Sequence, residues 1–230
     1  MQEQRLNTAL NPQFDPDTAN LPRYIAIEGP IGVGKTTLAK NLARTFGYET
    51  LLERAEDNPF LERFYQNRRA SALPTQLHFL FQRAKQLQEI KQNDLFEPVR
   101  IADFLMEKDQ LFAQVNLDND EYRLYQQVYE QLTIDSTDPD IVIYLQAPIE
   151  TLLERIRSRG NPAEKPIEAD YLRQLNEAYT KFFHYYDRSP LLIVNTAEID
   201  LVNNQDHYQQ FIEVLLQTKS GRHYYNPSVY

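Results

Sequence analysis

With 230 residues, 42% of them hydrophobic and 25% charged, the chain has the size and composition of one globular α/β domain. Its formal net charge of −9 argues against a nucleic-acid backbone or an anionic membrane as the main partner, and the absence of cysteine excludes disulfides and zinc–thiolate sites. Because the chain has neither an apolar run near the ~18 residues of a membrane span nor the apolar core of a secretory signal, we expect a soluble, cytoplasmic protein.

The first 22 residues are polar and are interrupted by Pro12, Pro16 and Pro22. We expect them to form a flexible arm without a core of its own. Residues 23–230 are then predicted to form a single domain, because no internal repeat or low-complexity tract divides them.

A phosphate-binding loop follows the arm. The short apolar run Tyr24–Ile27 predicts a strand, and an amphipathic helix is predicted to continue to about Phe46. Between them lies a match to the pattern G-x-x-x-x-G-K-[ST], in which backbone N–H groups and the helix N-terminus bind phosphate. We expect the residues that bind the nucleotide to be Gly29, Gly32, Gly34, Lys35, Thr36 and Thr37.

Strands and helices alternate along the rest of the chain. Further strands are predicted at 50–52, 98–103, 140–145 and 191–195. Further helices are predicted from Asn58 to about Tyr65 and at 75–91, 120–132, 149–159, 171–186 and 207–217. This alternation predicts an α/β fold with a doubly wound, five-stranded parallel sheet.

The loop alone does not distinguish a kinase from a GTPase or a motor ATPase. The DxxG switch and the N-K-x-D guanine motif of GTPases are absent from the sequence, and no apolar strand ends in Asp-Glu as in motor ATPases. A small-molecule kinase remains, which must bring an acceptor hydroxyl in line with the γ-phosphate.

From about Arg23 to Asp200, the sequence resembles the deoxynucleoside kinase family. The segment Leu-Leu-Glu-Arg-Ala-Glu-Asp-Asn-Pro-Phe-Leu begins at Leu51 and is similar to the family's Glu-Pro-Val segment. The resemblance implies that Glu53 contacts the nucleoside 5′-hydroxyl and acts as general base. A carboxylate at the carboxyl end of a parallel strand suits that task, because this end faces the ligand crevice.

The resemblance also implies an acceptor site. Gln76 and Arg83 are seven residues apart and therefore share one helix face. The family uses such a pair to hold the nucleobase, with the arginine paired to an aspartate, here Asp109. Tyr65 and Glu164 match residues that contact the 3′-hydroxyl.

The chain departs from the family after the third strand. The family has Asp/Glu-Arg-Ser there, whereas this chain has Asp103-Phe104-Leu105 and lacks the arginine. Asp103, with Thr36, is expected to bind Mg²⁺. A different alignment gives Asp103 the position beside Arg83 that we assign to Asp109.

Two arginines form the predicted lid. Arg155 and Arg159 are four residues apart and lie on one helical face, where the family's lid arginines contact the transferring phosphoryl group. The segment 195–200 corresponds to the loop that surrounds the adenine of ATP in the family.

The sequence thus predicts an ATP- and Mg²⁺-dependent kinase that phosphorylates the 5′-hydroxyl of a deoxynucleoside, with deoxyadenosine or deoxyguanosine favoured. The resemblance also implies a homodimer. Two alternatives stay open: a nucleoside-monophosphate kinase of thymidylate type, and a catalytically silent nucleotide-binding subunit.

Overall fold

The computed structural model describes residues 21–93, 99–132, 137–202 and 204–227. Of the predicted arm, only Leu21 and Pro22 lie within these ranges, so the arm stays a prediction. The helices in these ranges do not combine the length and the hydropathy that crossing a membrane requires.

A parallel β-sheet flanked by helices forms the centre of the fold. The strands in the described ranges are β1 (Tyr24–Glu28), β2 (Glu49–Leu51), β3 (Arg100–Ala102), β4 (Ile141–Gln146), β5 (Leu191–Asn195) and β6 (Arg222–Tyr225). Their order across the sheet is β2-β3-β1-β4-β5-β6, and every neighbouring pair is parallel. The predicted α/β class and parallel sheet are confirmed, but the predicted number of five strands is wrong.

The sixth strand, β6, has no apolar run that hydropathy could detect. It is an edge strand, and three of its four residues are exposed. It is anchored by Arg222, whose guanidinium donates to carbonyl oxygens at the end of the helix Ala169–Tyr185, including those of Phe183 and His184. Such anchoring depends on tertiary contacts and leaves no periodic pattern in the sequence.

Eight α-helices lie in the described part of the chain: α1 (Lys35–Phe46), α2 (Leu61–Gln66), α3 (Arg68–Asn93), α4 (Lys108–Asn116), α5 (Asn119–Gln131), α6 (Ile149–Arg159), α7 (Ala169–Tyr185) and α8 (Gln205–Gln217). Most agree with the predicted helices to within a few residues. Two do not: α3 begins seven residues earlier than predicted, and α4 was not predicted.

Proline was expected to start α3 but lies inside it. An interior proline removes a helical hydrogen bond and costs about 3 kcal/mol. Near Pro74, however, the Thr75 hydroxyl donates to the Ser71 carbonyl at 2.6 Å, and the Asn58 amide donates to the Thr75 carbonyl at 3.1 Å. Because this stretch of α3 is also buried against α2, packing outweighs the local preference.

Helix α4 was not predicted because its buried face carries charged residues. Lys108 and Asp109 in its first turn are 5% and 0% exposed, although an amphipathic pattern would place such residues in solvent. Only Leu111 and Ala113 supply buried apolar side chains. Burial of charged groups requires partners, and these come from other elements.

The core is built on the central strands. Ile25, Ala26 and Ile27 of β1 are fully buried, as is most of β4 and β5, so these strands read as the continuous apolar runs typical of a sheet covered on both faces. Each buried aliphatic side chain contributes about 1.5–3 kcal/mol. This rigid centre fixes where the loops after β1, β2 and β3 begin.

The loop between β1 and α1 packs closely on α6. At Gly32, φ is +85°, and an added Cβ would lie 2.8 Å from Ile156 Cγ1 and 2.9 Å from the Leu152 carbonyl oxygen. Gly47, the C-cap of α1, also has a positive φ of +71°, but nothing lies within 4 Å of its Cβ position. The two glycines therefore share a conformation and differ in packing.

We expect Gly32→Ala to lower the free energy of unfolding by about 2–4 kcal/mol, since backbone strain of about 1–2 kcal/mol adds to overpacking. Gly47→Ala, the matched control, should lose only the strain. Urea denaturation of both variants measures the difference. Equal losses would show that the contact with α6 does not matter.

Candidate active site

The phosphate loop has the geometry that its sequence predicts. Gly29, Gly32 and Gly34 all have positive φ, and α1 begins directly after Gly34. Lys35 folds back across the loop, and its Nζ donates to the carbonyl oxygens of Gly29 at 2.7 Å and Pro30 at 3.2 Å. Burial in the cleft and the nearby charge of Lys108 lower the pKa of Lys35 to about 8.

Asp103 connects the ends of three strands. Its Oδ2 accepts from the Thr36 hydroxyl at 2.5 Å, and its Oδ1 accepts from the Glu53 backbone N–H at 2.7 Å. Because Asp103 directly follows β3, it joins the loop after β1 to the segment after β2. The hydroxyl and carboxylate oxygens here are the hard ligands that Mg²⁺ prefers.

The Glu53 carboxylate lies between two cations. Its Oε1 accepts from Arg83 Nη2, and its Oε2 accepts from Lys108 Nζ at 2.9 Å. Burial alone would raise the pKa of Glu53, but the charges of Arg83 and Lys108 outweigh burial and hold the pKa below its usual range. Glu53 is therefore ionised at neutral pH.

Helix α3 presents a polar face to the same space. Gln76 and Arg83 are 2% and 3% exposed. Together with Phe79 they line a cavity that also contains Glu53. Arg83 Nη1 is 2.5 Å from Asp109 Oδ1. Asp109 is fully buried and does not line this cavity. Its contact with the cavity is therefore indirect, through the ion pair with Arg83.

Two cavities meet at the loop. One, of about 1040 Å³, contains Glu53 and the polar face of α3. The other, of about 860 Å³, lies between the loop, α6 and the segment 196–202. Both are lined by Gly32, Lys35, Thr36 and Arg159. We call them the acceptor cavity and the donor cavity.

The two lid arginines have different surroundings. Arg155 donates to the Val33 carbonyl, the Thr196 hydroxyl and the Thr196 carbonyl, which lie beside the donor cavity. Arg159 forms an ion pair with Glu164 at 2.6 Å and lines both cavities. Tyr65 shares the acceptor cavity with Glu164, and burial, with the charge of Glu164 adding to it, raises the pKa of Tyr65.

Comparison with known proteins agrees with this geometry. The family model for deoxynucleoside kinase matches residues 25–218. The chain belongs to the deoxynucleoside kinase family. It is therefore a phosphotransferase that acts on deoxynucleosides.

Individual relatives give the same family. The chain is 43% identical to the deoxyguanosine kinase of Bacillus subtilis (strain 168) over 184 residues, which cover 79% of this chain and 88% of that protein. It is 28% identical over 199 residues to the deoxyadenosine/deoxycytidine kinase of the same organism, covering 82% and 89% of the two chains. The structure of deoxyadenosine kinase from M. mycoides with bound dATP superposes with a TM-score of 0.73 at 30% identity, covering 84% of this chain and 98% of that one.

In this kinase, the structure brings most of the predicted site residues together. Those that line the acceptor cavity are Gly32, Lys35, Thr36, Glu53, Tyr65, Gln76, Arg83, Asp103, Arg159 and Glu164. The donor cavity adds Gly34, Thr37 and Arg155. Of the two possible alignments, the geometry agrees with the one that sets Asp109 against Arg83 and Asp103 against Thr36. The functional roles of these residues remain predictions.

Two buried charged residues were missed by the sequence analysis. Glu28 ends β1 and is 1% exposed, and it accepts hydrogen bonds from the backbone of Gly29 and Leu105 and from the Tyr179 hydroxyl. Lys108 contacts Glu53. The position of Glu28, at the end of an apolar strand and directly before the phosphate loop, could have identified it from the sequence. Lys108 has no comparable signal.

The lowered pKa of Lys35 predicts that ATP binding depends on pH. Below about pH 8 Lys35 of the free kinase is a charged ammonium, and above about pH 8 Lys35 loses this charge. If only the charged form binds, affinity for ATP should fall about tenfold from pH 7 to pH 9. Equilibrium titration with ATP at pH 7, 8 and 9 measures this.

Lys35→Arg is the control, because a guanidinium stays protonated across this range and should flatten the profile. An affinity of the unmodified kinase that does not change from pH 7 to pH 9 would contradict the prediction.

Proposed function

We propose that this kinase transfers the γ-phosphoryl group of ATP to the 5′-hydroxyl of a purine deoxynucleoside, with Mg²⁺ on the ATP phosphates. The observation that carries the proposal is the meeting of the two cavities at Lys35, Thr36 and Arg159, with the Glu53 carboxylate on the acceptor side. Phosphoryl transfer needs this arrangement, because the attacking and leaving oxygens must lie in line across the transferred group.

The donor side binds ATP through the loop. Backbone N–H groups and the start of α1 face the phosphates, and the Lys35 ammonium compensates their charge. Thr36 and Asp103 would hold Mg²⁺, which supplies further positive charge to the phosphates when bound. Arg155, tied to Val33 and Thr196, holds the loop against the segment predicted to surround the adenine.

The acceptor side activates the 5′-hydroxyl. Arg83 and Lys108 keep the Glu53 carboxylate ionised. An ionised carboxylate can accept the hydroxyl proton as the bond to phosphorus forms. Arg159 lies at the junction of the cavities, where its charge stabilises the transferring group. Tyr65 and Glu164 are suited to hydrogen-bond the sugar 3′-hydroxyl.

The base-binding face supports a purine. An arginine donates well to O6 and N7 of guanine, and a glutamine amide matches N6 and N7 of adenine, so Arg83 and Gln76 suit either base. The 43% identical relative is a deoxyguanosine kinase. We therefore propose deoxyguanosine as the preferred acceptor.

A panel of the four common deoxynucleosides with ATP and Mg²⁺ tests the function. We expect the highest kcat/KM for deoxyguanosine, then deoxyadenosine, with pyrimidines about tenfold or more below, since a mismatched base leaves buried polar groups unpaired. A pyrimidine as the best acceptor would overturn the base assignment, and no turnover of any deoxynucleoside would overturn the function.

Glu53→Gln should lower kcat by about 100-fold or more, because an amide cannot take the hydroxyl proton. ATP binding should change little, since Glu53 lies on the acceptor side. Steady-state kinetics and an ATP titration measure the two effects. Glu49→Gln, an exposed position on β2, is the matched control, and near-normal turnover of the Glu53 variant would exclude the role of general base.

Three further expectations from the sequence belong to this proposal. We propose a single kinase domain over residues 23–230, a cytoplasmic location and a homodimer. Exposed apolar side chains support the dimer: Phe81 of α3 is 51% exposed and Leu124 of α5 is 48% exposed, on helices that pack together. Because the chain belongs to the deoxynucleoside kinase family, neither alternative, a thymidylate-type nucleoside-monophosphate kinase or a catalytically silent nucleotide-binding subunit, is proposed.

A further inference from the structure

Lys108 is a buried cation inside the acceptor cavity. It lies in the first turn of α4, is 5% exposed, and its Nζ is 2.9 Å from Glu53 Oε2 and 5.5 Å from the centre of the Phe112 ring. Burying an ammonium is costly unless an anion compensates it. Glu53 supplies such an anion but shares its charge with Arg83.

The Lys108 ammonium has capacity for a further ligand. An ammonium carries three N–H donors, and within the described ranges Lys108 uses one of them, on Glu53. Since Lys108 lines the acceptor cavity, the other donors are within the space that a substrate would fill.

A second lysine lies near Lys108. Lys35 and Lys108 line the same cavity, so two positive charges face that space. Lys35 belongs to the phosphate loop and Lys108 to the acceptor side. An anion bound between them would compensate both charges, and in phosphoryl transfer that anion is the group in transit.

The end of β3 provides no cation for this position. Asp103 is followed by Phe104 and Leu105, which are 1% and 3% exposed and carry no charge. The positive charges beside Glu53 come from Arg83 of α3 and Lys108 of α4 instead.

We propose that Lys108 is a catalytic residue whose ammonium contacts the acceptor 5′-oxygen and the transferring phosphoryl group. This role rests on the proposed function. The 5′-oxygen forms a bond to the γ-phosphorus while the bond from that phosphorus to the β,γ-bridging oxygen breaks, and ADP leaves with the electron pair. Glu53 takes the hydroxyl proton, and Lys108 keeps its own proton throughout and stabilises the negative charge on the oxygens.

The charge state of Lys108 agrees with this role. Burial lowers the pKa of its ammonium, but the negative charges of Glu53 and Glu28 outweigh burial and raise the pKa above its ordinary value. Lys108 therefore remains an ammonium at neutral pH.

Substitution of Lys108 tests the role. Lys108→Met removes the charge with little change in length and should lower kcat by about 100-fold, the usual cost of one lost donor to a transition-state oxygen. The affinity for ATP should stay within about threefold, because ATP binds to the loop. Lys108→Arg, which keeps the charge, should recover much of the rate, whereas Lys108→Gln, which keeps only a donor, should not.

A lysine outside the site provides the control. Lys85 is 77% exposed on α3, in an ion pair with Glu89, and Lys85→Met should leave kcat and KM unchanged. Thermal unfolding of each variant shows whether it is folded. If Lys108→Met is unfolded, the comparison of Lys108→Arg with Lys108→Gln still separates charge from hydrogen bonding.

A double variant separates direct contact from positioning of Glu53. If Lys108 acted only by holding the Glu53 carboxylate, Lys108→Met would have no further effect in the Glu53→Gln background. We expect a further loss of about tenfold or more in kcat, because the contact with the phosphoryl group is independent of the base. No further loss, a Lys108→Gln variant as active as Lys108→Arg, or near-normal turnover of Lys108→Met would each overturn the proposal.

The proposed function fails separately from this inference. It fails if the unmodified kinase phosphorylates no deoxynucleoside in the panel. The role of Lys108 fails if the unmodified kinase is active but the variants give one of the three results that overturn the proposal.

Discussion

The structure of this site depends on one partly buried carboxylate, Glu53, held between the guanidinium of Arg83 and the ammonium of Lys108. Each of these three groups is costly to bury alone, and breaking such a pair by removing one partner typically costs about 3–5 kcal/mol. The three groups come from the segment after β2, from α3 and from α4. Their mutual compensation therefore fixes how these parts of the chain pack around the cavity.

The network extends from Glu53 to both ends of the reaction. Through Arg83 it reaches Asp109 and the face that is suited to bind a base. Through its backbone N–H, Glu53 reaches Asp103, whose other oxygen accepts from Thr36 of the phosphate loop. The polar face of α3 is thus connected to the phosphate loop through a few side chains. The same closeness explains why this site requires full charge compensation, because an unpaired charge here would disturb several neighbours at once.

Prediction from sequence succeeded where an apolar pattern was continuous. The strands β1, β4 and β5 are buried runs, and helix α6 begins and ends where its sequence indicates. It failed where charge or exposure concealed the element. The buried face of helix α4 contains the charged residues Lys108 and Asp109, so it lacks an apolar pattern. Strand β6 is an edge strand with mostly exposed residues. Pro74 indicated a helix start, but the buried packing of α3 outweighed that preference.

By itself the sequence determined the donor side, because the residues predicted to bind phosphate lie within nine consecutive positions and the loop, the helix start and the lysine are therefore placed by local structure. It also indicated Glu53, Gln76 and Arg83 through their spacing and family resemblance. Only the tertiary structure decided which aspartate pairs with Arg83 and which cation accompanies Glu53. The physical reason is that the charge of Glu53 is compensated by the opposite charges that the fold brings close in space, and these groups, Arg83 and Lys108, are 30 and 55 residues away in the chain.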